Sequence, residues 1–416
     1  MLTRHVHLIR SVALGDATTL QNGALSVSAD EAAALLSAPC LADVRVSWAS
    51  PGDAVRIVKV LDVVEPRTKG AGGGGIFPGW LDDTVDVGGP VHVLRGAAVV
   101  IAGYLPRAQE AVIDMSGPAA ELSPFGSTHN LVIEFTPAAG ADWAEVDDVL
   151  RRGSLALAAR LAEASLDVEP DLVEEVLDPA PVEDLPRVGA ITNLQTQGVF
   201  KDVFVRGQSF VGAAPVLIDP AEIDAGAVVA GQYGHPSLRN STWVHQNHPV
   251  VAALRAAHGR GLSFAGVILS PEPVSAADKQ AVSIAAAQLC ADAGWDAAIV
   301  TKEGGGNADA DMALKMDALE ELGIASVGLF AEMAGPDGTG PPIVVPPEKA
   351  TAMISTGNYD TRLSLPAMDR ALGGDELALL GVAATSAMEL PTAVILGALS
   401  PLGWSRLTCA EQPVTA

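Results

Sequence analysis

Between Val188 and Thr356 short apolar runs alternate with stretches of helical periodicity, and no other feature constrains the fold as much. VGAITNLQ, AGAVVAG, FAGVILS, DAAIVTK, IASVGLFAE and AMIST are the apolar runs. NHPVVAALRAAHGRG and SAADKQAVSIAAAQLCADAG are among the stretches between them. A run that is apolar throughout suits a strand covered on both faces. Strand–helix alternation of this kind implies a mostly parallel, twisted sheet in an α/β fold. In such sheets ligands collect where loops leave the carboxyl ends of strands. Three polar loops follow apolar runs: 231–243 after AGAVVAG, 302–311 after DAAIV, and 356–362 after AMIST. They are expected to converge.

The first half of the chain reads differently. LQNGALSVS (20–28) carries an Asn-Gly turn between apolar stretches, which signals a hairpin. VRVSWASPGDAVRIVKVLDVVEPR (44–67) reads as strand, turn, strand. HVLRGAAVVIAGYL (92–105) reads as a strand pair, and VDDVLRRGSLALAARLAEA (146–164) has helical periodicity. Residues 165–187 are acidic and proline-rich and form the best linker candidate. With 416 residues the chain is too long for one ordinary core. The expected division is a β-rich domain over 1–184 and an α/β domain over 185–416 that carries the active-site loops. KGAGGGGIFPGW (69–80) invites a phosphate-loop reading, but Pro78 and Gly79 follow the glycines where a Lys-Ser/Thr and a helix should stand. A surface or close-approach loop suits it better.

The formal charge of −25 sets such a surface against nucleic acid and anionic membranes. No long uncharged apolar run exists to span a bilayer, and Arg4, His5, His7 and Arg10 interrupt any signal-like start. Cys40, Cys290 and Cys409 are few and far apart, which excludes a disulfide scaffold and any CxxC motif. Cytoplasmic residence is expected. Cys290 falls on the apolar side of a helical stretch and reads as core.

The densest polar stretch is GQYGHPSLRNSTWVHQNHP (231–249), with His235, His245 and His248 among the eight histidines. Ser237, Asn240, Thr242 and His245 there can serve as a nucleophile with its acid/base and hydrogen-bonding groups. The same residue types also build hydrogen-bonded turns for structural reasons. Asn247 or His248 beside Pro249 suits a helix start, with Asn247 as the N-cap. A metal site on the three histidines is a third reading, although their spacing matches no zinc box. KEGGGNADADM (302–312) offers Glu303 as a base or amine-binding carboxylate beside glycines that let a ligand approach the backbone. Its Asn307 or Asp309 otherwise caps a helix. The alternating aspartates resemble part of a calcium loop but lack its glycine and bidentate glutamate.

EPRTKGAGGGGIFPG, GAITNLQTQGVFKDVFVRG, NSTWVHQNHPVV, SFAGVILSPEPVSAADKQ, TKEGGGNADADM and STGNYDTRLSLPAMDRALG occur in a set order. Together they resemble the component B proprotein of glycine/sarcosine/betaine reductase, with the D-proline reductase proprotein a more distant relative. The likeness runs from VALGDATTLQNGALSV to GALSPLGWSRLT. It implies an oxidoreductase subunit that cleaves a carbon–nitrogen, or related carbon–heteroatom, bond of a small amine or amino-acid-like substrate. It also implies self-cleavage within the polar stretch, leaving a pyruvoyl group whose ketone forms a Schiff base with the substrate amine. A selenocysteine or cysteine on a partner subunit then attacks the α-carbon, and a thioredoxin-like reductant regenerates the oligomeric complex.

One departure matters. The family's processing residue is a cysteine, and an ungapped placement puts Ser237 there, after Pro236. A serine hydroxyl is a poorer nucleophile than a thiolate, so the expectation divides between pyruvoyl formation at Ser237 and an intact chain. By analogy Asn240 and Thr242 hold a carbonyl or carboxylate and His245 shuttles a proton to the leaving amine. His235, Glu303, Asn307 and Asp309 line the substrate. The alternatives are a non-catalytic subunit that only binds the partner, and a metal-dependent lyase or hydrolase built on the histidine loop.

Overall fold

The computed structural model describes residues 2–82, 88–106, 108–176, 180–197, 202–231, 236–350, 352–378 and 380–403. Its second half is built on a six-stranded sheet. In spatial order the strands are Val216–Ile218, Ser263–Glu272, Arg187–Gln195, Ala297–Thr301, Ala325–Glu332 and Ala352–Asn358. Only Val216–Ile218 runs antiparallel to its neighbour; the other pairings are parallel. The α/β reading is therefore correct.

Side chains alternate between two buried faces, which is why the runs read as apolar throughout. Ala190, Leu194, Val267 and Leu269 meet Val250, Val251 and Leu254 of the helix Pro249–Ala257. Ile191, Ile268 and Val300 meet Cys290 of the helix Ala276–Asp292 and Met312, Met316 and Leu319 of the helix Asn307–Glu321. Cys290 is core, as expected.

AGAVVAG departs from expectation. Only Val228–Val229 is extended, and it pairs with Phe204–Val205 outside the main sheet. The run's first residues close the short helix Pro220–Asp224, whose C-cap is Ala225, and Gly226 turns the chain with φ +75°. Its edge place goes to Val216–Ile218, too short and proline-flanked to stand out.

In the first half, Leu41–Ala49, His129–Pro137, Ala97–Ala102 and Val60–Val64 form one sheet. The helix Trp143–Glu163 covers one face of it, burying Leu150, Leu155, Leu157 and Leu161 against Val99, Ile101, Leu131 and Ile133. Trp243, Val244, Leu396 and Leu402 cover the other face. The second half thus packs directly on the first, and the polar stretch lies at that seam. Arg370–Leu372 also pairs in parallel with Val55–Ile57.

The Asn-Gly hairpin forms between Thr19–Gln21 and Ala24–Ser28. Asn22 at φ +51° and Gly23 at φ +78° give the left-handed pair that a tight hairpin needs. The other expected pairs do not form hairpins. Leu41–Ala49 and Val55–Ile57 join different sheets, as do Gly89–Arg95 and Ala97–Ala102.

The segment read as a linker contributes Leu172–Val176, antiparallel to Leu2–Leu8. Its acidity has a structural use, since Glu174 binds the Arg95 guanidinium through two hydrogen bonds of 2.7 and 2.9 Å. The glycine run forms a tight turn at Ala71–Gly73. Two of its amides are already engaged: Gly72 N–H donates to Glu163 and Gly75 N–H to Asp82. A Cβ on Gly73 would sit 2.9 Å from Leu81, so the close-approach reading holds, and the Gly72 and Gly75 amides are not free for a phosphate. Among the described residues no helix is long and apolar enough to cross a membrane.

Candidate functional site

Much of the polar stretch is a joint between the two halves. Ser241 caps the helix Thr242–Gln246, accepting from Val244 N–H at 3.4 Å. Thr242 donates its amide and its hydroxyl to the Asp62 carboxylate, at 2.9 and 2.5 Å, and its hydroxyl accepts from Ala230 N–H at 3.0 Å. The expected carbonyl-holding role for Thr242 finds its hydroxyl committed to Asp62. Burial pushes the Asp62 carboxyl up, against the Thr242 hydrogen bonds and Arg239. Gln246 exchanges hydrogen bonds with the backbone of Glu65. Asn247 accepts from Arg67 at 2.9 Å and donates to Glu65 at 3.2 Å.

Asn247 is not the N-cap of the next helix. It is the C-cap of the preceding one, and His248 caps Pro249–Ala257 instead. A two-residue connection leaves room for only one capping position before Pro249. His248 Nδ1 accepts from Val251 N–H at 3.4 Å, so Nε2 carries the proton that faces Thr192 Oγ1 at 2.8 Å. Burial, then His245 and Arg255, push its pKa down to about 3. Both ring nitrogens are occupied, which removes His248 from metal or acid/base duty. Among the described residues no group of three or more His, Cys, Asp or Glu side chains is placed to hold a metal. His235 lies outside the described residues.

Two other residues of the stretch, Asn240 and His245, meet at Glu303, which follows the strand Ala297–Thr301. Gly304 N–H donates to Leu238 O at 2.8 Å and so ties the two loops together. Gly304 has φ +72°, and a Cβ there would sit 2.9 Å from Gln195 Nε2. Only glycine meets both demands. Glu303 Oε2 accepts from Gln195 N–H at 2.8 Å, and Oε1 accepts the Asn240 amide and side chain at 3.0 and 2.9 Å. His245 Nε2 lies 3.3 Å from the same Oε1. Both residues are about 1% exposed, so nothing screens that pair. Burial alone would raise the Glu303 carboxyl, but His245 and the Gln195 and Asn240 donors outweigh it and hold it below its ordinary value.

Several buried polar atoms on the same segments are orphaned. Ser237 Oγ, His245 Nδ1, both amide atoms of Asn193 and Gln195 Oε1 have no hydrogen-bond partner, and the His245 ring meets only Glu303, at 3.3 Å. Native proteins satisfy nearly all such atoms, and the carboxyl ends of parallel strands are where ligands collect in such sheets, so these residues are the candidate site. Asn193 and Gln195 escaped the sequence reading. Their signal was two amides within the otherwise apolar VGAITNLQ.

Asn307 and Asp309 face other duties. Asn307 Nδ2 donates to Gln197 at 2.5 Å. Asp309 pairs with the buried Lys302 and accepts from Val344 N–H at 2.8 Å. Neither caps the helix Asn307–Glu321, whose N-cap is Gly306 with no side-chain hydrogen bond. Behind Glu303, its amide donates to Glu272 at 3.1 Å. Burial and the nearby Asp311 and Glu303 push the Glu272 carboxyl well up. Lys315, in the same buried group, is pushed down to about 8 by burial.

The third polar loop joins through Ala393, which accepts from Ser237 N–H at 3.1 Å and donates to Tyr359 O at 3.0 Å. The three loops converge as expected, but no space lies between His245 and Glu303, which touch. A cavity of about 510 Å³ reaches Pro236, Tyr359 and Asp360, next along the chain from Ser237 but not lined by Ser237, His245 or Glu303.

The model of glycine/sarcosine/betaine reductase component B subunits matches residues 1–410. The chain is 36% identical to glycine reductase complex component B subunits alpha and beta of Peptoclostridium acidaminophilum, over 96% of this chain and 97% of the relative. It is 34% identical to the protein of the same name in Acetoanaerobium sticklandii, over 96% and 97%. The sarcosine reductase complex component B subunit alpha of Peptoclostridium acidaminophilum is 35% identical over 88% of this chain and 87% of the relative. No solved structure matches. The chain belongs to the family of glycine/sarcosine/betaine reductase component B subunits, and so to the subunits of reductase complexes.

Proposed function

We propose that this chain is the substrate-activating subunit of a reductase complex that cleaves a carbon–nitrogen bond of a small amine, with Ser237, Asn240, His245 and Glu303 as its site. The buried His245–Glu303 pair, with both imidazole nitrogens otherwise unengaged, carries the reading. A departing amine needs a proton, and an imidazole oriented by a fixed carboxylate is placed to deliver one. Glu303 is held by three donors, so it orients the imidazole without moving itself.

Ser237 fits the origin of a pyruvoyl group. Its hydroxyl is buried and makes no hydrogen bond that would turn it from the Pro236 carbonyl, and Pro236 borders the cavity. The relatives named as subunits alpha and beta match this one chain over nearly their full length, as a precursor divided after synthesis would. Such a group supplies a carbonyl that draws electrons from a substrate amine. Asn193, whose amide atoms have no partner, would hydrogen-bond at that end of the site, while Asn240, bound to Glu303 and Ser400, fixes the carboxylate; the surrounding burial excludes water.

Among the described residues no thiol is placed to supply the reducing equivalents; Cys409 lies outside them. Cys40 and Cys290 are both buried, and burial pushes the Cys290 thiol up to about 12, so neither supplies a thiolate. The reading therefore includes a selenol- or thiol-bearing partner subunit and a thioredoxin-like reductant. Intact mass spectrometry with a hydrazide carbonyl probe tests the Ser237 assignment. Two fragments divided between 236 and 237, the C-terminal one labelled, are expected, and Ser237→Ala should stay whole and unlabelled. A wild-type chain that remains whole and unlabelled refutes it.

A further inference from the structure

The cavity beside Pro236 has features that the acid–base pair does not use. Its volume of about 510 Å³ falls within the roughly 300–1,000 Å³ of pockets that enclose sizeable ligands, and far exceeds what the smallest amino acids fill. Its wall is largely apolar, with Tyr104 and Tyr359 as aromatic surfaces, and it includes Lys59, Glu110 and Asp360.

Lys59 is the unusual member. It has φ +55°, a left-handed conformation that non-glycine residues rarely adopt and that gathers at functional sites. The backbone is fixed there, because Gly103 N–H donates to Lys59 O at 3.1 Å. The pairing register with Ala97–Ala102 also shifts beside it, between Ile101 and Ala102. Irregularities of this kind re-aim a side chain out of the ladder. The ammonium group makes no ion pair with any described carboxylate. A Cβ at position 374 would lie 2.8 Å from its Nζ, so Gly374 leaves it room. Asp360 uses Oδ2 to accept from Gly335 N–H at 2.9 Å, which leaves Oδ1 for a ligand.

We infer that this cavity receives an amino acid with a bulky apolar body, its carboxylate held by Lys59 and its ammonium group by Asp360. The mixed charges select a zwitterion, and the aromatic walls select its body. The reaction assigned to such a ligand rests on the reductase reading, but its binding does not.

Calorimetric titration of the full-length chain with phenylalanine (both enantiomers), phenylalaninamide, 3-phenylpropanoate and glycine tests this. One enantiomer of phenylalanine should bind tightest. Loss of either the carboxylate or the amine should weaken binding about tenfold or more, as expected for a charge-assisted hydrogen bond. Lys59→Met should make phenylalanine and phenylalaninamide equal, and Lys59→Arg should restore their difference. Glycine binding as tightly as phenylalanine, no binding of any probe, or an unchanged preference in Lys59→Met overturns the inference. Turnover of glycine by a chain that does not bind phenylalanine defeats this inference alone. Phenylalanine binding without turnover of any amine in the assembled complex defeats the reductase reading alone.

Discussion

His245 Nε2 and Glu303 Oε1 stand 3.3 Å apart inside the protein, on two loops joined through Leu238 and Gly304. The carboxylate is ionised at neutral pH because its donors outweigh the penalty of burial. A depressed carboxyl stabilises the fold above its ordinary value of 4.5, and that contribution is lost as pH falls through the lower folded value. Glu303→Gln should therefore cost about 2–4 kcal/mol at pH 7, and the difference from wild type should shrink below pH 4.5. Urea denaturation across pH 3–7 reads both; a pH-independent difference contradicts the assignment.

Glu272 works with the opposite sign. Its carboxyl is raised by burial and by Asp311 and Glu303. A raised carboxyl costs nothing below its ordinary value, and a penalty grows as pH climbs toward the folded value. Glu272→Gln keeps an acceptor for Glu303 N–H and removes that penalty. Its stability relative to wild type should improve steadily from pH 4.5 to 8. Denaturation midpoints that diverge the other way would show that the carboxylate is stabilised in place.

Arg56 ties the C-terminal stretch to the first half. Its guanidinium binds both Asp114 oxygens, at 2.6 and 2.9 Å, and the carbonyls of Ala384, Ser386 and Pro366. Arg56→Met leaves a buried, uncompensated Asp114 and should cost about 3–5 kcal/mol. A thermal midpoint within a degree of wild type would refute that role.

Thr242 is treated as an anchor, not as a substrate contact, because Asp62 and Ala230 occupy its hydroxyl. Thr242→Val should cost about 1–3 kcal/mol of stability, with turnover per folded molecule unchanged. A large fall in turnover at unchanged stability would return Thr242 to the chemistry.

Sequence made the parallel sheet legible because its inner strands are apolar on both faces, as burial under helices requires, and the AMIST start of the half-buried edge strand Ala352–Asn358 extends the pattern. Val216–Ile218 hid because a three-residue strand in a short segment between Pro215 and Pro220 carries no periodicity. The polar density of 231–249 pointed to the right place for two mixed reasons. Asn240 and His245 meet Glu303, while Thr242, Gln246 and Asn247 bind Asp62, Glu65 and Arg67 at the seam between the halves. Spacing along the chain does not separate these roles, since the partners lie about 180 residues away. Asn193 and Gln195 were readable only as amides out of place in a buried strand. Glu272 and Lys315 are ordinary residues until the fold removes their water.

The most direct test is amine release by the assembled complex, with a thiol or selenol partner subunit and a dithiol reductant, comparing wild type with His245→Gln and Glu303→Gln. The account predicts steady release by wild type and a loss of about a hundredfold or more in each variant, the scale of general acid catalysis, in folded proteins that still bind the partner. Full turnover by either folded variant would contradict it.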